Sequence, residues 1–346
     1  MYMFPLVSLC TPTFNRRPFI ETMFQCFRNQ DYPKHKIEWI IVDDGSDKIE
    51  DLVKQSNIPQ IKYFPISSKM TLGAKRNFIH SKCTGSILVN IDDDDYYPPQ
   101  RISHAVSKLL ENPQVLIAGA SEIYVYFKHI SKMYQAGPYG PNHATAGTFA
   151  FRRELLLQTR YNDDAALAEE REFLKDYSFP MVQLDPVKCI LVFSHVQNTF
   201  DKKKLISGDN PYFKVSSKSV NDFIRNSNEN KIKNFFMHDI DKITQYRPGD
   251  PIMKPDVMKQ MKEIEKERDL NQKTTIMVQQ PGLPPKALSM EEVVQLIQQQ
   301  QSLLLSKDQE IQALKQKLEI KPIPTNPFTF APHQKGKCIP EVMVTL

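Results

Sequence analysis

Four consecutive aspartates, Asp92, Asp93, Asp94 and Asp95, follow directly on an apolar run over residues 86–91. Acidic runs of this kind are usually solvated, but an apolar strand leading into one and Tyr96-Tyr97-Pro98-Pro99 after it place this run at a strand end. Strand alternation sets Asp92 and Asp94 on one side, and Asp93 and Asp95 on the other. Two carboxylates on one side repel unless a cation lies between them. Their oxygens suit Mg²⁺ or Mn²⁺, and an ion held there can bind a diphosphate and stabilise it as a leaving group. A basic complement stands upstream, where Lys75 and Arg76 follow Gly73 near a helix start. Cations at that position can meet phosphate oxygens beside the helix N-terminus.

These groups need elements to position them. Residues 5–10 form a short apolar strand that breaks at Thr11-Pro12-Thr13. A helix is predicted over 18–29, where Phe19, Ile20, Met23, Phe24 and Phe27 keep a period near 3.6. Trp39-Ile40-Ile41-Val42 reads as a strand buried on both faces, and it runs into Asp43-Asp44-Gly45-Ser46. Residues 61–64 add a strand, and 72–81 and 101–110 add helices. Later segments give strands near 115–143, 148–151 and 190–195, and helices at 153–158 and 166–174. Strands alternating with helices imply a mostly parallel sheet, in which ligands bind beyond the carboxyl ends of the strands. Three polar clusters, at Thr11–Thr13, Asp43-Asp44 and Asp92–Asp95, follow such strands, so one crevice can collect them.

The ordered set Thr11-Pro12-Thr13-Phe14-Asn15-Arg16, Ile41-Val42-Asp43-Asp44-Gly45-Ser46, Gly73-Ala74-Lys75-Arg76-Asn77 and Asp92–Asp95 resembles the family 2 glycosyltransferases over about residues 5–200. The resemblance implies the glycosyltransferase-A fold, a Rossmann-like mixed α/β sheet flanked by helices, here with a C-terminal helical extension. It implies transfer of a sugar, with inversion, from a nucleotide-diphosphate donor, UDP being favoured, to a hydroxyl of a glycan or protein acceptor. It also implies Mn²⁺ or Mg²⁺. On this resemblance Thr11, Pro12, Thr13, Asn15 and Arg16 line the nucleotide pocket, and Asp43 and Asp44 meet uracil and ribose. Lys75, Arg76 and Asn77 lie beside the diphosphate and sugar with Asp92 and Asp93. Asp92 and Asp94 match the ends of the DxD motif as metal ligands, and His195 completes the metal shell. Glu170, with Glu169 beside it, takes the place of the catalytic base. The family commonly has Asp there, so Glu169 or Asp164 are the substitutes. His143, Thr145 and Gly147 fall in a region that contacts donor sugar or acceptor. The stretches AEEREF and VFSHVQNTF resemble enzymes encoded by large DNA viruses.

The 346 residues, 40% of them apolar, exceed one average domain. The division expected is a catalytic domain over 1–200, a lysine-rich and mostly helical extension over 201–270, a linker over 271–287, an amphipathic or coiled-coil helix over 288–320 and a proline-rich tail over 321–346. Met290, Ile297, Leu304, Ile311 and Leu318 recur every seven residues, which allows a homo-oligomer through that helix. The five cysteines lack CxxC spacing, and this reads as reduced thiols in the cytosol. No signal peptide or membrane-spanning run is present, so a membrane-bound acceptor would be met from the surface. The formal charge of +5 does not call for nucleic acid. Sugar nucleotidyltransferases share the fold but start with a glycine-rich loop, where this chain has Thr11–Asn15. An inactive scaffold acting through its C-terminal helix is the other reading, and the intact acidic and basic set argues against it.

Overall fold

The computed structural model describes residues 4–206, 210–273, 276–278, 286–288 and 290–317. The chain divides into two compact units, Met1–Lys262 and Glu263–Leu346. The first is a mixed α/β unit. Its main sheet contains β1 (Val7–Thr13), β2 (Ile37–Asp43), β3 (Ile61–Pro65), β4 (Ile87–Asn90), β5 (Ile117–Gly119), β8 (Ala150–Arg152) and β9 (Met181–Gln183), in the order β3-β2-β1-β4-β8-β5-β9. A smaller sheet contains β6 (Ile123–Phe127), β7 (Lys132–Ala136), β10 (Leu191–Ser194) and β11 (Phe213–Val215), in the order β10-β6-β7-β11.

Strands β3, β2, β1 and β4 are parallel, and β8 runs antiparallel to β4. The chain leaves β1 for β2 on one side and later returns as β4 on the other. That makes the crevice beyond β1 and β4 a topological switch point, the usual place for a ligand in an open α/β sheet. The register brings Thr13 level with Asp43 and Cys10 level with Asn90, so the clusters after these strands share one rim. Strand β1 carries its pairing through Thr11-Pro12-Thr13 instead of stopping before them, because β2 supplies parallel partners as far as Asp43.

Helices α1 (Arg17–Arg28), α2 (Glu50–Ser56), α3 (Leu72–Lys82) and α4 (Arg101–Glu111) flank the sheet. In α1, Pro18 opens the helix, and Phe19, Ile20, Met23, Phe24 and Phe27 turn inward. Phe24 and Phe27 pack on Trp39 of β2. The helix expected over 166–174 is a single turn, α5 (Glu170–Phe173). Ala168, with φ 55°, is left-handed just before it, so the helix cannot begin earlier. Residues 190–195 supply β10, which lies in the smaller sheet and not in the main one.

The first compact unit extends beyond the boundary placed at 200, because the chain after it completes the core. Strand β11 pairs with β7. Phe223, together with Ile232 and Phe236 of α6 (Asn230–Met237) and Ile240 and Ile243 after it, packs against Tyr126 and Phe193. Helix α7 (Pro255–Lys273) starts in the first unit. The second unit includes the β12–β13 pair (Ile276–Val278, Lys286–Leu288) and the long helix α8 (Met290–Lys317). Ile297, Leu304 and Ile311, three of the seven-residue repeat, are exposed on α8. Much of the expected linker and all of the proline-rich tail lie outside the described residues, as does Leu318.

Candidate active site

Helix α3 carries cations on its inner face. Thr71 caps it by accepting from the Ala74 N–H, and the buried residues of its first two turns include Gly73, Lys75 and Arg76. Gly73 is dictated by packing, since a Cβ there would come 1.9 Å from the Asn162 carbonyl oxygen. That close approach lets the 161–165 loop lie on the helix start, where Gly73 N donates to Ala165 O at 2.8 Å. Asn77 fastens the same loop, donating to Tyr161 O at 2.8 Å and to Asp163 at 2.7 Å.

Lys75 reaches under β1 and β2. Its ammonium donates to Thr13 O at 3.1 Å and forms a buried ion pair with Asp44. Burial lowers the Lys75 pKa, and Asp44 opposes that shift. Asp44 also accepts from the Met70 N–H at 2.6 Å. Asp43 shapes the turn after β2, accepting from the N–H groups of Gly45 and Ile49 and from Tyr63 Oη. Thr11 lies wholly inside, taking a bond from Trp39 Nε1 and donating to Ile91 O. Asn15, left-handed at φ 53°, accepts from the Asp47 N–H at 3.0 Å.

Arg76 joins the two halves of the site. Its Nε donates to Glu169 Oε1 at 2.7 Å, and its Nη2 stands 3.5 Å from Asp92 Oδ1. Desolvation alone would lower its pKa, but Glu169 heads the charges that raise it, so the guanidinium stays charged. Glu170 is the next residue, half-buried at the start of α5. Burial first and the Glu169 charge second push its pKa up to about 7. The segment after α5 is wound left-handed at three successive residues, Lys175, Asp176 and Tyr177. Tyr177 stacks on His143, with ring centroids 4.5 Å apart. The loop that holds His143, Thr145 and Gly147 therefore runs from the segment behind the candidate base to the acidic cluster, where a Cβ on Gly147 would lie 2.7 Å from Asp92 Oδ2.

The four aspartates do not alternate as a strand would place them, because the chain bends over 93–95. Asp93 and Asp94 consequently share one cation, Arg16, at 3.6 and 3.4 Å. Burial raises Asp92, and it raises Asp93 to about 7 against the pull of Arg16. Burial also raises Asp95, whose Oδ1 has no partner. Asp94 is held below the usual carboxylate range because Arg16 and His195 outweigh its burial. His195 Nε2 is 3.4 Å from Asp94 Oδ2, and burial lowers this ring to about 4. Its Nδ1 accepts from the Gln197 N–H at 3.3 Å.

Among the described residues, no three His, Cys, Asp or Glu side chains stand close enough to hold an ion between them. Asp95 still offers a buried carboxylate oxygen with no partner, a hard donor beside the three paired aspartates. Such a set fits an ion of the Mg²⁺ type that takes one or two protein carboxylates and completes its shell from substrate phosphate.

Several residues of the site carried no motif. Tyr246 Oη donates to Asp47, Pro248 O accepts from Asn15 Nδ2, and Lys254 Nζ donates to Thr199 Oγ1 at 2.9 Å. They come from the chain beyond 200, and no local spacing marks them.

Residues 8–176 match the profile of the family described as Glycosyl transferase family 2. The chain is 33% identical over 102 residues to a glycosyl transferase of Escherichia coli named for colanic acid biosynthesis, WcaA. That match covers 29% of this chain and 36% of the relative, so the chain spans about a third of that relative's length. An uncharacterized glycosyltransferase of Haemophilus influenzae is 22% identical over 67% of this chain and 93% of its own length. Among solved structures, the Pyrobaculum calidifontis mannosyltransferase PcManGT with GDP-Man and Mn²⁺ aligns at a TM-score of 0.46 and 18% identity, over 60% of this chain and 66% of that one. Staphylococcus aureus TarS 1–349 with UDP-GlcNAc aligns at 0.42 and 17%, over 54% and 58%. Residues 8–176 thus form a family 2 glycosyltransferase domain.

Proposed function

We propose that the protein is an inverting, metal-dependent glycosyltransferase that moves a sugar from a nucleotide-diphosphate donor, UDP-linked by preference, to a hydroxyl of a glycan or protein. The observation that carries this reading is the Arg76 bridge. One buried guanidinium ties the turn bearing Glu169 and Glu170 to the aspartates after β4. A general base and a phosphate-binding rim held by one cation are the two parts that a single displacement needs.

In the reaction, Glu170 takes the proton of the acceptor hydroxyl as that oxygen bonds to the anomeric carbon. The bond from that carbon to the diphosphate breaks with its electron pair, and Arg76 and Lys75 are the cations this reading assigns to offset the charge on the departing nucleotide. Asp94 and Asp92 are the carboxylates that would hold Mn²⁺ or Mg²⁺, with His195, 3.4 Å from Asp94, joining them only after a rearrangement, and the ion would supply Lewis-acid stabilisation of the diphosphate. Because Nε2 is the nitrogen that faces Asp94, a ligating His195 would present it unprotonated and, with the proton on Nδ1, would give up the bond that Nδ1 accepts from the Gln197 N–H. Asp43, Thr11 and Asn77 act by shaping the rim, since their polar atoms bond to the protein itself. A cytoplasmic setting, an origin in a large DNA virus, and pairing of two chains through α8 belong to the same proposal. They rest on the reduced cysteines, the AEEREF and VFSHVQNTF stretches and the seven-residue repeat.

The test is a donor screen. The protein is incubated with Mn²⁺ and each common UDP-, GDP- and dTDP-sugar, with Asp94→Ala in parallel and nucleotide diphosphate release as the readout. Release from one donor, lost in the variant, is the expected result. No release from any donor, together with no metal-dependent nucleotide binding by calorimetry, would sink the reading in favour of an inactive scaffold.

A further inference from the structure

Residues 246–260 cross the rim of the site as a strap. They lie beyond the matched family domain, and polar side chains and backbone groups along them fasten to four separate loops. Tyr246 Oη bonds Asp47 at 2.7 Å in the turn after β2. The Pro248 carbonyl accepts from Asn15 at 2.9 Å in the turn after β1. Asp256 forms an ion pair with Lys69 at 2.5 Å just before α3. Gln260 Oε1 accepts from the N–H groups of Ala166 and Leu167 at 2.9 and 2.7 Å, just before Glu169 and Glu170. Gly249 makes the close approach possible, since a Cβ there would lie 2.3 Å from Gln197 Oε1.

In the middle of this strap is Lys254. Three ammoniums, those of Lys69, Lys75 and Lys254, stand 5.3, 5.8 and 5.9 Å from the centre of the Phe14 ring. Two of them have carboxylate partners, Asp256 and Asp44. Lys254 has a neutral one, the Thr199 hydroxyl, and among the described residues no carboxylate lies within 4 Å of its ammonium. A desolvated ammonium without an anion is costly, so it sheds its proton more readily unless an anion from outside the chain meets it. Burial and the Arg16 charge lower the Lys254 pKa to about 7 although Asp93 and Asp94 pull the other way, which agrees with a cation left short of negative charge.

We propose that Lys254, delivered by the 246–260 strap, is a donor-binding residue that contacts the diphosphate of the nucleotide. This rests on the nucleotide-diphosphate reading above. The strap's other anchors grip the loops on which that reading places the nucleotide and the base, so its seating couples donor binding to the position of Glu170.

The experiment is calorimetry of the full chain with UDP and with uridine, in Mn²⁺, for the wild type, Lys254→Met and Lys254→Arg. Removing one charge-assisted hydrogen bond to a phosphate weakens binding about ten- to a hundredfold. Lys254→Met should lose that factor for UDP and leave uridine nearly unchanged, and Lys254→Arg should recover most of it. Equal losses for UDP and uridine would overturn the proposal, because they would mean that the strap had come loose. Unchanged or tighter UDP binding in Lys254→Met would overturn it too, the latter marking Lys254 as a plug. If the wild type binds none of UDP, GDP or dTDP, the donor reading fails and this inference falls with it.

Discussion

Replacing Arg76 by Met tests the architecture most directly. The side chain is 5% exposed, its partner Glu169 is 4% exposed and Asp92 is 27% exposed. Methionine keeps most of the stem and removes the charge, so packing changes little while two carboxylates lose their shared cation. Removing one partner of a buried pair costs about 3–5 kcal/mol. For a unit of this size, each kcal/mol moves the melting temperature by about 2–4 °C, so a fall of roughly 6–20 °C is expected. The sign of its pH dependence follows from the same physics. Burial already raises the Asp92 pKa and Arg76 opposes that rise, so without Arg76 the folded state holds the Asp92 proton more tightly and the variant loses more stability at pH 8 than at pH 5. Arg76→Met combined with Glu169→Gln should recover part of the loss, because the stranded charge is gone. Thermal melts at both pH values read all of this. A loss under about 1 kcal/mol at pH 8, or strict additivity of the two substitutions, would refute the claim that one cation holds the two halves of the site together.

Glu170→Gln should lower transfer by about 10²- to 10⁴-fold while leaving UDP affinity within a fewfold, as removal of a general base does; loss of binding instead would show that the residue is misassigned. Burial raises the Glu170 pKa from 4.5 to about 7, and a base works ionised, so kcat/KM in the wild type should rise with pH through about 7. The folded state then holds the proton more tightly than the unfolded state, so the Glu170 contribution to stability declines as pH rises from about 4.5 to about 7, and Glu170→Gln should flatten that decline in melting temperature. Lys175→Gly should raise the melting temperature by about 2–4 °C, since glycine relieves roughly 1 kcal/mol of left-handed strain at φ 48°, and a lower melting temperature would show that the side chain matters more than the backbone.

The parts of the fold that could be read in the sequence were those in which apolar periodicity and strand burial coincide. Trp39–Val42 lies fully inside β2, and the inward face of α1 holds the five residues its period singled out. Asp43, Asp44 and the aspartate run do gather at one rim because parallel strands end on the same side. Partner choice was not legible. Nothing local tells Asp43 to tie its own turn while Asp44 meets Lys75, since the two carboxylates differ only in which way the chain bends after β2. The order of the aspartates misled for a related reason: alternation holds inside a strand, and β4 ends at Asn90 before the cluster begins. The lysine-rich stretch past 200 looked like an extension because its apolar residues are scattered, but Phe223, Ile232 and Phe236 meet a core built by β6, β7 and β10, all of them before residue 200.

The rim differs from the sheet beneath it in what holds it together. Under the site, β1, β2 and β4 are closed by Leu9, Ile41, Val89 and their neighbours, which are almost wholly inaccessible. At the rim the closing interactions are ionic: Arg16 to Asp93 and Asp94, Lys75 to Asp44, Arg76 to Asp92 and Glu169. Apolar side chains of similar volume would hold these loops at least as firmly, since buried ion pairs return little net stability. Ionic closure fits the proposed nucleotide-diphosphate donor. A diphosphate needs cations already desolvated and fixed in place, and an apolar rim offers none. On the proposed donor reading, the carboxylates keep those cations charged and oriented until the ligand arrives, and the apolar sheet provides the stability that the rim gives up.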